Sequence, residues 1–491
     1  MCMCAFMKDP PEVTRKPMFV RNPRTGRADY EIKPLGSTEV AAHCAALRTA
    51  QSGWLALGLE GRIAVLNAFA DAVASKGKAL TDALVLDTGR SFISAMEVQS
   101  IAGSIKRWVN ITRGVVPTPK RQSQALPFIS FQSELQPYAL VGVISPWNFP
   151  LTLSIIDALP ALLAGCCVII KPSEVTPRFA KPLRKIIAQI PALAEVLDII
   201  DGDGETGAAV VDHVDSICFT GSVPTGRMVG ERAAKNLIPA FLELGGKDPA
   251  IVLESADIER ATTALLRGSI LNAGQACQSV ERIYVARPVF DEFINKLVQK
   301  AQKITLNTPN PSSGHLGPII FEKQAAIIEA QINDAVEKGA AILTGGVIEN
   351  HGGGLWCKPT IITGVTDDMT IMQQETFGPL LPVIAFDTVE EAVKRANNSD
   401  FGLSASVFAG SAEEAITVGR MIEAGGISIN DASLTSLMYE AEKDSFKQSG
   451  LGASRMGLSG YLRFFRKQAF MVNEADVFTI DQFNEANAAQ T

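Results

Sequence analysis

A repeated order of short apolar strands and amphipathic helices predicts an α/β protein built on parallel sheets. Two further observations agree with this. At 491 residues the chain exceeds what one hydrophobic core normally organises, so two or more domains are expected, and the pattern is most economically read as two α/β domains. The longest apolar run, ALPALLAGCCVII at 158–170, is too short to span a bilayer and carries Pro160 and Gly165, so it reads as buried core.

The opening MCMCAFMKDPPEV is interrupted by Lys8, Asp9, Pro10 and Pro11 before an export-signal core forms, and none is expected. Cys2 and Cys4 make a lone C-x-C, which reads as a frayed terminus rather than a metal site. YALVGVISPW (138–147) reads as a strand leading to a helix from about Ser154, and CCVIIKPSE (166–174) as a strand followed by the helical FAKPLRKIIAQI. VLDIIDGDGETGAAVV and SICFTGSVPTGRMVGERAAKN repeat the strand, turn and helix order of βαβ units. From Asp257 a second region begins with the helix-like IERATTALLRGSILNAG, stopped at Gly274, and continues with RIYVA, AILTGG and LPVIAF as strands. PFISFQSEL (127–135) and RFFRKQAFMVN (463–473) are strands with mixed faces that fit neither region. They need a partner edge, which points to a small sheet that pairs subunits.

Hydrophobic residues at 47% and charged residues at 20% are the balance of a soluble globular protein. A net charge of -7 gives no reason to bind a polyanion, so nucleic acid is not expected as a partner. Eight cysteines without paired spacings fit a reducing compartment, with cytoplasm the default. His43, His213, His315 and His351 form no triad or metal-ligand pattern.

Five short motifs carry possible chemistry, and four of them have a plainer alternative of real weight. In SPWNFP (145–150), proline stiffness would fix Asn148 as an oxyanion donor, unless its amide only closes a turn. KPSE (171–174) offers a carboxylate to a nucleotide ribose, or a local ion pair at a surface turn. FTGSVPTG (219–226) ends a strand and opens a helix, with Ser222 as N-cap and Pro224 in the first turn; its free N–H groups suit a phosphate, but an ordinary turn reads equally well. LELGGKDP (242–249) sets Glu243 at an apolar strand end, where desolvation would let it act as a base near neutral pH. In LNAGQACQS (271–279), Cys277 is either a nucleophile favoured by dipoles, a cofactor charge or Glu243, or an inert buried thiol.

Taken in order, SPWNFP, KPSE, FTGS, LELGGKDP, GQAC and ETFGP (375–379) resemble the NAD(P)-dependent aldehyde dehydrogenase superfamily, over about Phe19 to Lys467. The resemblance implies a Rossmann-like cofactor domain (1–120 and 138–245), an α/β catalytic domain (246–445) and a small oligomerisation β-sheet from 121–137 and 460–491. It implies Cys277 as nucleophile, Asn148 with the Cys277 N–H as oxyanion donors, and Glu243 as general base. Lys171 and Glu174 would hold the adenosine ribose, Gly221 and Ser222 the pyrophosphate, and Glu375 and Phe377 the nicotinamide ribose and ring. Ser145, Trp147, Ser173 and Gly204 fall on the same cofactor side. NAD is the expected cofactor, with NADP possible, and no metal is required. A small aldehyde as substrate and a homodimer or homotetramer complete the expectation, with no membrane partner.

Three departures from the family pattern stand out. EKDSFKQSG (442–450) replaces the common Pro-Phe-Gly-Gly run, Asp157 stands where lysine is common, and GASRMGLSG lacks an acidic residue often found there. Ala276 and Gln278 are uncharged, and Leu151, Leu153, Ile155 and Ile156 would line the substrate tunnel, favouring aromatic or medium-chain aldehydes. Asp157 would disfavour an anionic semialdehyde unless Arg455 or Lys443 reaches in. The alternatives are a semialdehyde dehydrogenase, a CoA-acylating enzyme, against which Glu243 argues, and a non-catalytic member, against which Cys277 argues.

Overall fold

The computed structural model describes residues 15–116 and 118–485; Cys2 and Cys4 lie outside them. Two mixed α/β layers are built on separate sheets. The first sheet has six strands in the order Gly450–Leu451, Ala240–Glu243, Ser216–Thr220, Leu140–Ile144, Cys167–Lys171, Leu197–Ile199, parallel except for the first. The second has seven, Ala341–Thr344, Thr360–Thr363, Leu380–Phe386, Val280–Ala286, Asp248–Val252, Ser404–Phe408 and Gly426–Ile429, with only the first antiparallel. Their central strands, such as LVGVI, CVIIK and DPAIV, are buried along their whole length, as parallel strands covered by helices on both faces must be.

Helix packing fixes residues in this core. At Gly142, a Cβ would lie 2.7 Å from Ile217 and 2.9 Å from Val210, so only glycine lets the helix Gly204–His213 approach the sheet. That helix is started by Asp203, whose carboxylate accepts from the backbone N–H of Glu205 and Thr206. Asp257 starts the helix Ile258–Ile270 in the same way, accepting from Arg260.

The helix expected from about Ser154 begins earlier. Pro150–Ile155 is helical, then Ala158–Ala164 after a break at Asp157. Pro150 opens the first helix, and Glu97, from the distant helix Phe92–Arg113, accepts from the backbone N–H of Leu151 and Thr152 at 3.1 Å. The run at 158–170 is buried as expected, but it is a helix followed by a strand, turned at Gly165 with φ 101°.

The two segments that fitted neither region pair with each other. Ile129–Pro137 and Phe465–Asn473 form an antiparallel ladder running from Phe465 opposite Pro137 to Asn473 opposite Ile129, with Arg121–Gln122 as a third strand. The outer strand remains exposed nearly throughout. Gly450–Leu451 lies outside the boundaries drawn for the cofactor domain, yet it closes that domain's sheet beside Glu243.

Candidate active site

The loop that carries Cys277 is built from an unusual backbone. After Ile270 the chain makes a short 3-10 turn in which Asn272 (φ 56°), Ala273 (φ 56°) and Gly274 (φ 72°) are successively left-handed. Left-handed geometry costs roughly 1–2 kcal/mol per non-glycine residue, so the surroundings must hold it. Asn272 donates to the carbonyls of Asn148 and Gln275, and Gln275 donates to those of Asn272 and Pro318 while accepting from the Ile320 N–H. A Cβ on Gly274 would sit 2.3 Å from the Gly378 backbone, which ties this loop to ETFGP. Gly274 thus belongs to the turn itself, while the helix ends at Ile270.

Cys277 emerges partly buried from this loop. Burial, then the carboxylates of Glu375, Glu243 and Asp248, push its thiol up to about 12, opposed by Lys443. Without a bound cation the resting sulfur is therefore a thiol. Asn148 is buried and donates one amide hydrogen to Gln275 O at 3.0 Å, leaving the second available. Its own carbonyl is held by Arg90 at 2.7 Å and by Asn272.

Glu243 ends the strand Ala240–Glu243. The apolar setting expected for it is not what surrounds it. Ser445 donates to Oε2 at 3.3 Å, and Arg455 Nε lies 3.9 Å from Oε1. Both neighbours come from the departing C-terminal segment. Asp157 is likewise no free negative charge: it is buried between Arg455, at 2.7 Å, and Arg463. Burial opposes its ionisation, but the two guanidinium groups outweigh that and hold it below the ordinary carboxylate range. The expectation that Asp157 repels an anionic substrate falls with this pairing.

On the cofactor side, Lys171 Nζ donates to Gly202 O at 2.9 Å and to Glu174 at 3.2 Å, leaving the glutamate partly exposed. Ser222 is the N-cap of the helix Val223–Lys235, with Gly221 just before it, but its hydroxyl bonds Thr225 rather than the backbone. The first N–H groups therefore have no side-chain cap, as a phosphate site requires. Gly204 opens its helix with nothing within 4 Å of the place a Cβ would take. Trp147 packs against Phe321 and edge-on to Phe377, which is itself left-handed at φ 50°. Glu375 accepts from the Gly246 N–H at 2.9 Å, and burial followed by the neighbouring Glu281 pushes it up to about 8. Two predicted residues are turned inward: Ser145 bonds Ser154 at 2.6 Å, and Ser173 accepts from the Val175 N–H.

Several site residues carry no local signal. Glu281 accepts from the N–H groups of Thr376 and Phe377 and from Lys247, all at 2.7–2.8 Å, and so fixes the ETFGP turn from below. Arg90, Glu97, Arg455 and Arg463 act similarly on Asn148, Pro150–Ile155 and Asp157, and Thr220 accepts from Arg455. A charge such as Glu281 inside the wholly buried strand VERIYVA is the one hint the sequence offers. Among the described residues no cluster of three or more His, Cys, Asp or Glu could hold a metal ion, and no helix is long and apolar enough to cross a membrane.

A cysteine on a strained turn, an amide anchored to that turn and a glutamate whose charge acts on the cysteine are set on two α/β sheets. The chain belongs to the aldehyde dehydrogenase family, whose model matches residues 11–469. It is 36% identical over 450 residues to a Mycolicibacterium smegmatis protein provisionally named succinate-semialdehyde dehydrogenase (NADP+), covering 90% of this chain and 86% of that one. The structure superposes with a TM-score of 0.92 on PutA from Anabaena variabilis, a provisionally assigned aldehyde dehydrogenase of 53% identity, over 94% of this chain and 99% of that one. It also resembles betaine aldehyde dehydrogenase from Staphylococcus aureus, solved with NAD+, at a TM-score of 0.88 and 28% identity over 94% and 92% of the two chains.

Proposed function

We propose that this enzyme oxidises an aldehyde to its carboxylic acid with a nicotinamide dinucleotide, through Cys277, Asn148 and Glu243. The observation that carries the reading is the anchoring of the Asn148 amide on the carbonyl of Gln275, two residues before Cys277 in the same loop. Cys277 loses its thiol proton to solvent by way of Glu243, its Sγ thiolate attacks the carbonyl carbon, and the oxygen that becomes negative is received by the Asn148 amide and the Cys277 N–H. A bound dinucleotide supplies the hydride acceptor and, in its oxidised form, a cationic ring near the thiol. Trp147, Phe377 and Glu375 would hold the nicotinamide half, and Lys171, Glu174, Gly221 and Ser222 the adenosine and pyrophosphate half. Once the carbon has lost its hydride, a thioester remains on Cys277. Glu243 takes a proton from water as its oxygen bonds the acyl carbon; the C–S bond breaks and the sulfur leaves as thiolate.

NAD is the proposed cofactor, because the Glu174 carboxylate beside Lys171 would repel the extra phosphate of NADP. The tunnel reading narrows: Leu151 and Ile155 pack into the hydrophobic core, which leaves Leu153 and Ile156 on the helix after Asn148. Their apolar faces favour aromatic or medium-chain aldehydes. A semialdehyde is the second reading, supported by Arg107. This arginine forms no ion pair with a carboxylate among the described residues, its buried Nε is unbonded, and it stacks 4.6 Å from the Tyr439 ring, which lies within electrostatic reach of Cys277. Steady-state kinetics with NAD and NADP on benzaldehyde, hexanal, acetaldehyde and succinic semialdehyde test both. The highest kcat/KM is expected for NAD with benzaldehyde or hexanal; a preference for succinic semialdehyde moves the assignment to the second reading, and absence of any aldehyde-dependent reduction refutes the first proposal.

A further inference from the structure

Behind Glu243 lies a group of buried charges that the reaction as described does not use. Arg455 and Arg463 share the single carboxylate of Asp157. Arg463 is further sandwiched at about 5 Å over the rings of Phe241 and Phe464, a packed and structural position. Arg455 is placed differently. One of its Nη atoms is anchored at 2.7 Å to both Asp157 and Thr220 Oγ1, and this aims its buried Nε at Glu243 Oε1, 3.9 Å away. That Nε has no hydrogen-bond partner. Two guanidinium cations and one carboxylate leave the trio one positive charge in surplus, and buried charge is costly unless compensated. The carboxylate nearest to the surplus is Glu243.

We propose that Arg455 is the positioning residue of the hydrolytic half-reaction: oriented by Asp157 and Thr220, it holds the Glu243 carboxylate in place for proton transfer from water and favours its release of that proton after each turnover. The inference rests on Glu243 being the base proposed above. The arithmetic is local. Ionised Glu243 brings the group of four to neutrality, whereas Glu243 carrying the proton taken from water leaves a buried net charge of plus one. Regeneration of the base is thus favoured by the same cation that orients it. Other groups facing Glu243 do not supply this. Ser445 is neutral, Lys443 and Asp444 line the same cleft with opposite signs, and the Cys218 and Cys277 thiols are neutral because burial holds both at about 12. The C-terminal strand Gly450–Leu451, paired with Leu242 and Glu243, carries the chain into position for Arg455.

The test separates the two half-reactions by rapid mixing of enzyme, NAD and aldehyde, following NADH across pH 5.5–9. In Arg455→Met the first burst of NADH is expected to stay near one equivalent per site, while the slow phase, thioester hydrolysis, falls about tenfold at pH 7 and its acid limb moves up by about one pH unit. Arg455→Lys, which keeps the charge and loses the fork, should restore the acid limb and part of the rate. Should Arg455→Met fail to fold, Thr220→Val keeps every charge and the side-chain shape, and should slow the slow phase by twofold or more with the burst intact. A slow phase within twofold of the parent and an unmoved acid limb, in Arg455→Met or in Thr220→Val, overturns the proposal. A parent enzyme that shows no NADH formation at all refutes instead the functional reading beneath it.

Discussion

At the scale of single residues, Cys277, Asn148 and Glu243 stand out in the sequence because each sits in a short ordered motif, although Asn148 and Glu243 take their contacts from distant segments. Cys277 needs the left-handed LNAG turn, and Asn148 needs Pro150 close by. The Asp157 group is only partly legible: Arg455 is a candidate to reach in, but its bond to Asp157 and that of Arg463 span 298 and 306 positions of the chain. For the same reason Asp157 reads as a free charge in the sequence and is a paired one in the fold. Cys277→Ala is expected to fold and bind dinucleotide but to form no acyl-enzyme; mass spectrometry after exposure to aldehyde and NAD checks this. Glu243→Gln should keep the NADH burst and lose steady turnover by about 100-fold, the usual weight of a general base. The pH dependence of the thiol follows from its environment. Because the Cys277 thiol is pushed up to about 12, its thiolate fraction in the cofactor-free enzyme increases about tenfold for each pH unit between 7 and 9. Iodoacetamide inactivation should accelerate by that factor, and saturating NAD should flatten the slope. Cys166 and Cys167, buried in the core and also pushed up, should remain unlabelled in the native protein.

At the scale of elements, the alternation of strand and helix is legible because a strand buried on both faces and a one-sided helix leave different apolar patterns. Element boundaries are less so. The helix at Pro150 starts where Glu97 supplies its cap from 54 residues away, and no local signal announces that. The turn before Cys277 gives a direct test of how strongly the surroundings hold it. Gly274→Ala adds a methyl against the Gly378 backbone at a positive φ, and should lower stability by about 2–5 kcal/mol in urea denaturation, with loss of activity. Gly53→Ala, in the helix Ser37–Ala56 with open space around it, should instead stabilise by about 0.5–1 kcal/mol.

At the scale of the whole molecule, two sheets with their helices and a small antiparallel ladder make up the architecture that the motif order leads one to expect. The ladder differs from the expectation in one respect: its two long strands satisfy each other. What remains is the outer edge of Phe465–Asn473, where Phe470, Met471 and Val472 are exposed, with Phe478, Ile480 and Phe483 exposed beyond it. Such an apolar margin favours self-association through this edge. Sedimentation should give a dimer or tetramer of the 52.4 kDa chain, and Met471→Lys with Val472→Lys should shift it toward monomer; an active parent monomer would contradict this.

The bond between the Asn148 amide and the Gln275 carbonyl has a further consequence for the history of each molecule. It joins the end of one sheet's strand to a loop of the other, across 127 positions of sequence. While the chain is still being made, or when only one half has folded, the cysteine lacks both its amide neighbour and the strained turn that Asn272 holds. Reactivity toward aldehydes is then expected only after both halves have met. On refolding from urea, circular dichroism should recover first and aldehyde oxidation later, with a lag that sets the time of this final docking.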